Sequence, residues 1–431
     1  MVSWPIPIPD NCPFTFANLP FGVFSTTANN EKHIGVAIGD FIIDLSSLEY
    51  HLDDPSFECL GRDPMFQNGD LERFASLPAE IQKQWREMMI SWLNDPESLL
   101  FKSETGNVTK FVAMEDAIMH LPFAIGAFTD FMCSDIHIEN CSRLAGGSIP
   151  PGHYNFPLGY NGRASSVIVS GQQVHRPQGV VSSKQDSSYK YQPSKMVDYE
   201  VEIGILIGKH LPLGKVITAD EADEYIFGFV SLNDWSARDI QFTEMIPLGP
   251  LNGKSFATSI SPWVVTFEAM KPHRCPSTVV DLRDGGLAGV PHMCHEKIDS
   301  TWDLEVEVSV LRTSLYGQKP ILTTRSKLCD LRWSPGQMLA HLSSSGCGFK
   351  IGDLVGTGTI SSPGDSPSLR TLGCLFELTD GGKKPAATSQ EEPLFYLKDG
   401  DEVQLDVWNS ARTLGFGNLC SQLLGPRSSI S

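Results

Sequence analysis

The sequence predicts a mostly β chain of the α+β class in two domains, and three observations carry that prediction. Short runs of β-branched and aromatic residues, bounded by Gly, Pro, Asp or Ser, recur along most of its length. Helical periodicity is clear in one stretch only, between Pro78 and Leu93. With 431 residues and 41% hydrophobic content, the chain can also bury more than one core. The expected division is an N-terminal β domain with a helical segment over 1–119 and a β-rich catalytic domain over 120–431.

The elements follow in order. Residues 21–25 and 33–45, separated by the turn-like Ala28-Asn29-Asn30-Glu31, read as a pair of hairpins in a small sheet or barrel. The period then changes: Ile81, Trp85, Met88, Met89 and Trp92 recur at helical spacing, and Pro78 suits a helix start. Beyond 119, strands are expected at 166–170, 199–207, 225–232, 263–267, 304–311, 374–378 and 402–408, with surface loops at 182–195 and 380–393.

Composition excludes several functions. A formal charge of −18 without a basic stripe disfavours a nucleic-acid partner. No apolar run approaches the roughly 20 residues needed to cross a bilayer, and the first residues lack the pattern of a signal peptide, so a cytoplasmic protein is expected. The ten cysteines are scattered, without zinc-ribbon spacing. Neither a Gly-Xaa-Ser-Xaa-Gly elbow nor a Walker-type glycine loop is present.

Acidic residues carry the chemistry. In the run from Asp198 to Ile207, alternation turns Glu200 and Glu202 to one face and Val201, Ile203 and Ile205 to the other. Asp234 follows the apolar strand 227–232 in Asn233-Asp234-Trp235-Ser236-Ala237-Arg238. Asp130 and His137 lie seven apart, two turns and one face if that stretch is helical. Together they read as an all-oxygen site for a hard cation, Mg²⁺ or Ca²⁺, with a general base beside it. Four carboxylates at one site need positive compensation, for which Lys254 and Arg238 are the nearest candidates. The cluster His292-Met293-Cys294-His295-Glu296 is a softer competing metal site.

Longer motifs carry a resemblance. Phe24-Ser25-Thr26, Phe128-Thr129-Asp130-Phe131, Gly159-Tyr160-Asn161-Gly162-Arg163-Ala164-Ser165-Ser166, residues 233–241, Pro247-Leu248-Gly249-Pro250-Leu251-Asn252-Gly253-Lys254 and Gly358-Thr359-Ile360-Ser361 resemble, in the same order, the fumarylacetoacetate hydrolase family. The resemblance implies an N-terminal SH3-like small barrel, a C-terminal mixed β-sandwich roll, and a homodimer. It implies hydrolysis of a carbon–carbon bond in a small β-diketo acid, in the tyrosine-degradation case fumarylacetoacetate to fumarate and acetoacetate. On the matched positions Asp130, Glu200, Glu202 and Asp234 hold the metal, with Lys254 and Thr258 beside it. His137 corresponds to the base and Glu377 to the acid that orients it, while Arg238, Gln241 and Lys254 line the oxyanion side. Tyr160 and Thr359 fall near the substrate.

The sequence also departs from the family pattern. Met132 and Met245 stand where tyrosines are usual, and the segment between His137 and Tyr160 is short and lacks the usual Met-Phe-Arg-Gly, with Arg143 close by. A less charged or bulkier substrate is therefore expected, with weak activity on fumarylacetoacetate. The alternatives are a paralogue acting on another diketo or polyketide-derived acid, a lyase, decarboxylase, tautomerase or cyclase using the same metal site, and a non-catalytic metal-binding dimer.

Overall fold

The computed structural model describes residues 5–49, 65–101, 110–183, 188–279, 287, 289–312, 320–388 and 393–427. The N-terminal hairpins form an antiparallel five-stranded sheet, in the order Phe111–Ala113, Phe41–Asp44, His33–Ile38, Phe21–Thr26, Ala117–His120. The turn after Ile38 needs Gly39, whose φ is +56° and where a Cβ would lie 2.6 Å from the Pro7 carbonyl. Helix Ala79–Asn94 starts after Pro78, whose extended backbone (ψ 141°) cannot continue a helix backwards. It buries Trp85, Met89 and Leu93. Trp85 packs 5.0 Å from the Phe21 ring and 5.4 Å from Phe74, and Phe21 in turn lies 6.4 Å from Phe227 of the main sheet. The small sheet is thereby docked on the large one, a contact extended by the bridge between Phe21 and Val264.

The main sheet is mixed and eight-stranded. Its order is Leu158–Asn161, Phe128–Met132, Leu354–Gly356, Val201–Ile207, Ile226–Asp234, Thr258–Ile260, Val167–Val169, with Val265–Thr266 added to Ile226–Asp234. The two central strands are buried at every residue, as expected for strands covered on both faces. Opposite lies a five-stranded sheet in which Glu305–Arg312 and Asp401–Trp408 alternate between buried and partly exposed positions. The core between them holds Phe229, Trp302 and Trp333. The mostly β reading stands, and among the described residues no helix is long and apolar enough to cross a membrane.

Four local expectations are corrected. Residues 374–378 are a short helix, Leu375–Leu378, and not a strand: the Asp198 carboxylate accepts from the backbone N–H of Leu375 at 2.7 Å and of Phe376 at 3.0 Å, and so caps a helical turn. At 263–267 only Val265–Thr266 is extended, because the Thr266 side chain caps helix Phe267–Met270. The first expected loop is a hairpin of Gln178–Ser182 with Tyr189–Pro193, its 184–187 tip lying outside the described residues. The second pairs Ala387–Thr388 with Pro393–Leu394, and 389–392 likewise lie outside.

Candidate active site and metal centre

Four consecutive strands of the main sheet bring the carboxylates together. Pairing of Val201 with Asn233 sets Glu200 beside Asp234 across the two central strands. Gly356 pairs with both Gly204 and Asp130, so Asp130 stands one strand further over. A Cβ at Gly356 would fall 2.6 Å from Asp130 Oδ1 and 2.7 Å from Glu202 Oε2, so only glycine leaves room for two carboxylates there. Oxygens of Asp130, Glu200, Glu202 and Asp234 lie within 4.8 Å of one another, and all four residues are buried. Glu200 and Glu202 are 4% and 0% exposed, which excludes a solvated acidic strand face.

The nest is only half compensated. Lys254 Nζ donates to Asp234 Oδ2 at 2.7 Å and to Glu200, Arg238 Nη1 reaches Glu200 at 2.7 Å, and Tyr160 and Thr258 donate to Asp234 at 2.7 and 2.9 Å. Burial opposes ionisation of Glu200, but Lys254 and Arg238 outweigh it and hold its carboxyl below the ordinary range. The other pair has less help: Glu202 Oε2 accepts from the Gly358 N–H at 3.2 Å, but Asp130 Oδ1 and Glu202 Oε1 are buried without a partner. Burial, with Asp234 next, pushes Asp130 up to about 8, and burial with Asp130 and Asp234 holds Glu202 well above its usual value. Orphaned carboxylate oxygens facing one another fit a divalent cation with oxygen ligands. Lys254, which the sequence reading set among the metal residues, is corrected to a counter-ion, because an ammonium has no lone pair to offer.

A second buried group stands beside the first. Asp130 and His137 do not share a helix: Asp130 is on strand Phe128–Met132, and His137 is on helix Asp135–Leu144, which Ser134 caps by accepting from the His137 N–H at 3.2 Å. His137 Nδ1 meets Glu377 Oε2 at 2.7 Å. Glu377 also accepts from Asn140 at 3.0 Å and Ser361 at 2.7 Å. Burial opposes both charges, yet Glu377 stays below its ordinary value beside His137, and His137 stays well above its own beside Cys141 and Glu377. The Cys141 sulfur is 3.7 Å from Nδ1 and 3.6 Å from Nε2, near-equal distances that set it over the ring face.

Both groups open into one cavity of about 430 Å³, lined also by Met132, Tyr160, Gln241, Met245 and Thr359. Arg143 is corrected: its side chain is 61% exposed, pairs with Asp380 at 3.1 Å and does not line the cavity. The alternative His292–Glu296 metal site is not assembled, since His295 is engaged by Asp220 at 2.9 Å and Ser334 at 2.7 Å. Sequence reasoning missed Asp198, which holds Arg238 Nε at 2.9 Å; its alternation with Glu200 and Glu202 was the available signal. Asn140, three residues after His137 on the same helix face, was also legible, whereas Ser361 stood in a quoted motif without its role beside Glu377 being read.

A buried oxygen nest that could hold a divalent cation, beside an oriented imidazole on a mixed β sheet, is an arrangement suited to hydrolysis. The family models described as Fumarylacetoacetate (FAA) hydrolase C-terminal and Fumarylacetoacetase N-terminal match residues 127–424 and 17–122. The chain belongs to the fumarylacetoacetate hydrolase family. It is 37% identical to a fumarylacetoacetase of Oryza sativa subsp. japonica over 95% of this chain and 94% of that one. It is 34% identical to the fumarylacetoacetase of Homo sapiens over 97% and 98%. A fumarylacetoacetate hydrolase structure from Exiguobacterium antarcticum shares the fold, with a TM-score of 0.51 at 17% identity over 95% of this chain and 100% of that one.

Proposed function

We propose that this chain is a metal-dependent hydrolase that cleaves a carbon–carbon bond of a β-diketo acid by the fumarylacetoacetase reaction. The observation that carries it is one cavity lined by Asp130, Glu200 and His137, with the orphaned Asp130 and Glu202 oxygens on the nest side and Glu377 bound to His137 Nδ1 on the other. Asp130, Glu200, Glu202 and Asp234 would hold the cation, and their oxygen-only donors favour Mg²⁺ or Ca²⁺. When bound, the cation supplies Lewis-acid polarisation of the diketone oxygens and a sink for negative charge.

The chain's own groups do the rest. Glu377 fixes Nδ1 of His137, so in the neutral imidazole Nε2 is the nitrogen able to take a proton from water. Water oxygen joins the attacked carbonyl carbon, the bond from that carbon to the neighbouring methylene breaks, and the methylene carbon takes up the proton. The Gln241 oxygen is engaged by Arg238 Nη1 at 3.1 Å, so its amide nitrogen is the end it can offer to a developing oxyanion, alongside Lys254 and the unpartnered Thr359 hydroxyl. Tyr160 holds Asp234, and Met132 and Met245 bound the substrate space. An imidazole oriented to activate water favours hydrolysis over the lyase alternative.

A homodimer is part of the same reading, supported by exposed apolar Ile246, Leu248 and Leu251 on one loop. So is a reducing cytoplasm, supported by nine free cysteines among the described residues. The test is loss of diketone absorbance with Mg²⁺ present, using fumarylacetoacetate and an alkyl-tailed 3,5-diketo acid. Turnover that disappears with chelator and in His137→Ala is expected. Turnover of neither compound overturns the reaction assignment.

A further inference from the structure

Much of the cavity lining is apolar. Beside Asp130, Glu200 and His137 stand Met132, Ile138, Leu158, Phe242, Met245 and Phe376, with Met132 paired to Leu158 on the neighbouring strand. The lining includes two permanent cations, Arg238 and Lys254. Both already neutralise carboxylates, Arg238 those of Asp198 at 2.9 Å and Glu200 at 2.7 Å, and Lys254 those of Asp234 at 2.7 Å and Glu200, with the third Lys254 N–H left for the oxyanion of the reaction. Asp130, Asp198, Glu200, Glu202 and Asp234 outnumber these two cations by three, so even a bound divalent ion leaves no positive surplus. The other polar lining residues, Cys141, Ser142, Ser148, Tyr160, Gln241 and Thr359, carry no positive charge. A carboxylate on an arm set against Met132 and Leu158 would be stripped of water with no free cation to meet it. An alkyl or alkenyl arm would instead cover apolar surface.

We propose that the substrate arm lying between Met132, Leu158 and Met245 is an uncharged, apolar acyl chain. The preferred substrate is therefore a β-diketo acid with an aliphatic tail in place of a second carboxylate. This deepens the hydrolase reading and rests on it for the reaction, while the choice of tail rests on the lining alone.

The experiment compares 3,5-dioxodecanoate with 3,5-dioxodecanedioate, which differ only at the tail end, on the full chain with Mg²⁺. kcat/KM for the alkyl compound should exceed that for the dicarboxylate by more than about tenfold. Met245→Arg, at the half-buried rim, should move the ratio at least about tenfold toward the dicarboxylate. Equal or better use of the dicarboxylate by the native protein overturns the proposal, as does an unchanged ratio in a folded Met245→Arg protein. Calorimetric binding of both compounds to Mg²⁺-loaded His137→Ala reads the tail preference without turnover. If neither compound is hydrolysed, tighter alkyl binding still upholds the proposal and equal or tighter dicarboxylate binding overturns it, while the reaction assignment falls separately.

Discussion

The two buried ionisable groups of the site differ in how completely the protein satisfies them. Glu377 receives His137, Asn140 and Ser361, and its charge is favoured despite full burial. In the neighbouring nest, Glu200 and Asp234 are met by Lys254, but Asp130 Oδ1 and Glu202 Oε1 have no partner. The first group is complete as it stands, as an orienting pair must be before substrate arrives. The second is complete only when a cation supplies what side chains do not. On the proposed reading, the contrast separates a proton-handling pair from a metal site more sharply than residue identity does.

The largest effect that would break this distinction comes from His137→Ala. Turnover should fall by about 10² to 10⁴, the range typical of a lost general base, while calorimetry finds Mg²⁺ affinity within about threefold of the native protein. Loss of metal binding would make His137 a ligand. Glu202→Gln should do the reverse, weakening the cation by an order of magnitude or more and leaving His137 in place; metal titration of both variants side by side decides the assignment.

The pH dependence of the metal-free protein sharpens it further. Asp130 is pushed from its ordinary range up to about 8, so between those values the folded state binds a proton that the unfolded state has lost. Its contribution to stability is then present at low pH and disappears as pH rises toward 8. Added Mg²⁺ should therefore raise Tm more at pH 8 than at pH 6, read by scanning calorimetry. A Mg²⁺-induced rise that shrinks with pH would contradict the orphaned-carboxylate account.

Smaller effects test the completed pair. Ser361→Ala removes one of the donors to Glu377 and should lower kcat by about fivefold, the worth of one hydrogen bond of roughly 1 kcal/mol. Arg143→Ala should leave steady-state activity within about twofold, because its exposed pair with Asp380 contributes little and it lies outside the cavity.

How much was legible in the sequence follows from which interactions are local. Period-two alternation alone aligned Glu200 with Glu202, and read two residues further back it would have found Asp198. Helical periodicity located Trp85 and Met89 on the buried face of their helix. Alternation could not say that both faces of that strand are covered, and so could not separate a metal nest from a wet acidic edge. The helix at Leu375–Leu378 was invisible because its cap is Asp198, a distant residue.

By itself, the sequence determined the residue types, the periodicities and the collinear motifs, and with them the mostly β class, the family and the identity of the four carboxylates. Tertiary structure alone decided that Gly356 leaves room between Asp130 and Glu202, that Ser361 supports Glu377, and that Arg143 turns to Asp380 and away from the cavity. The physical reason is that charge satisfaction and cavity lining depend on distances between segments far apart in the chain, which local propensity and spacing do not encode.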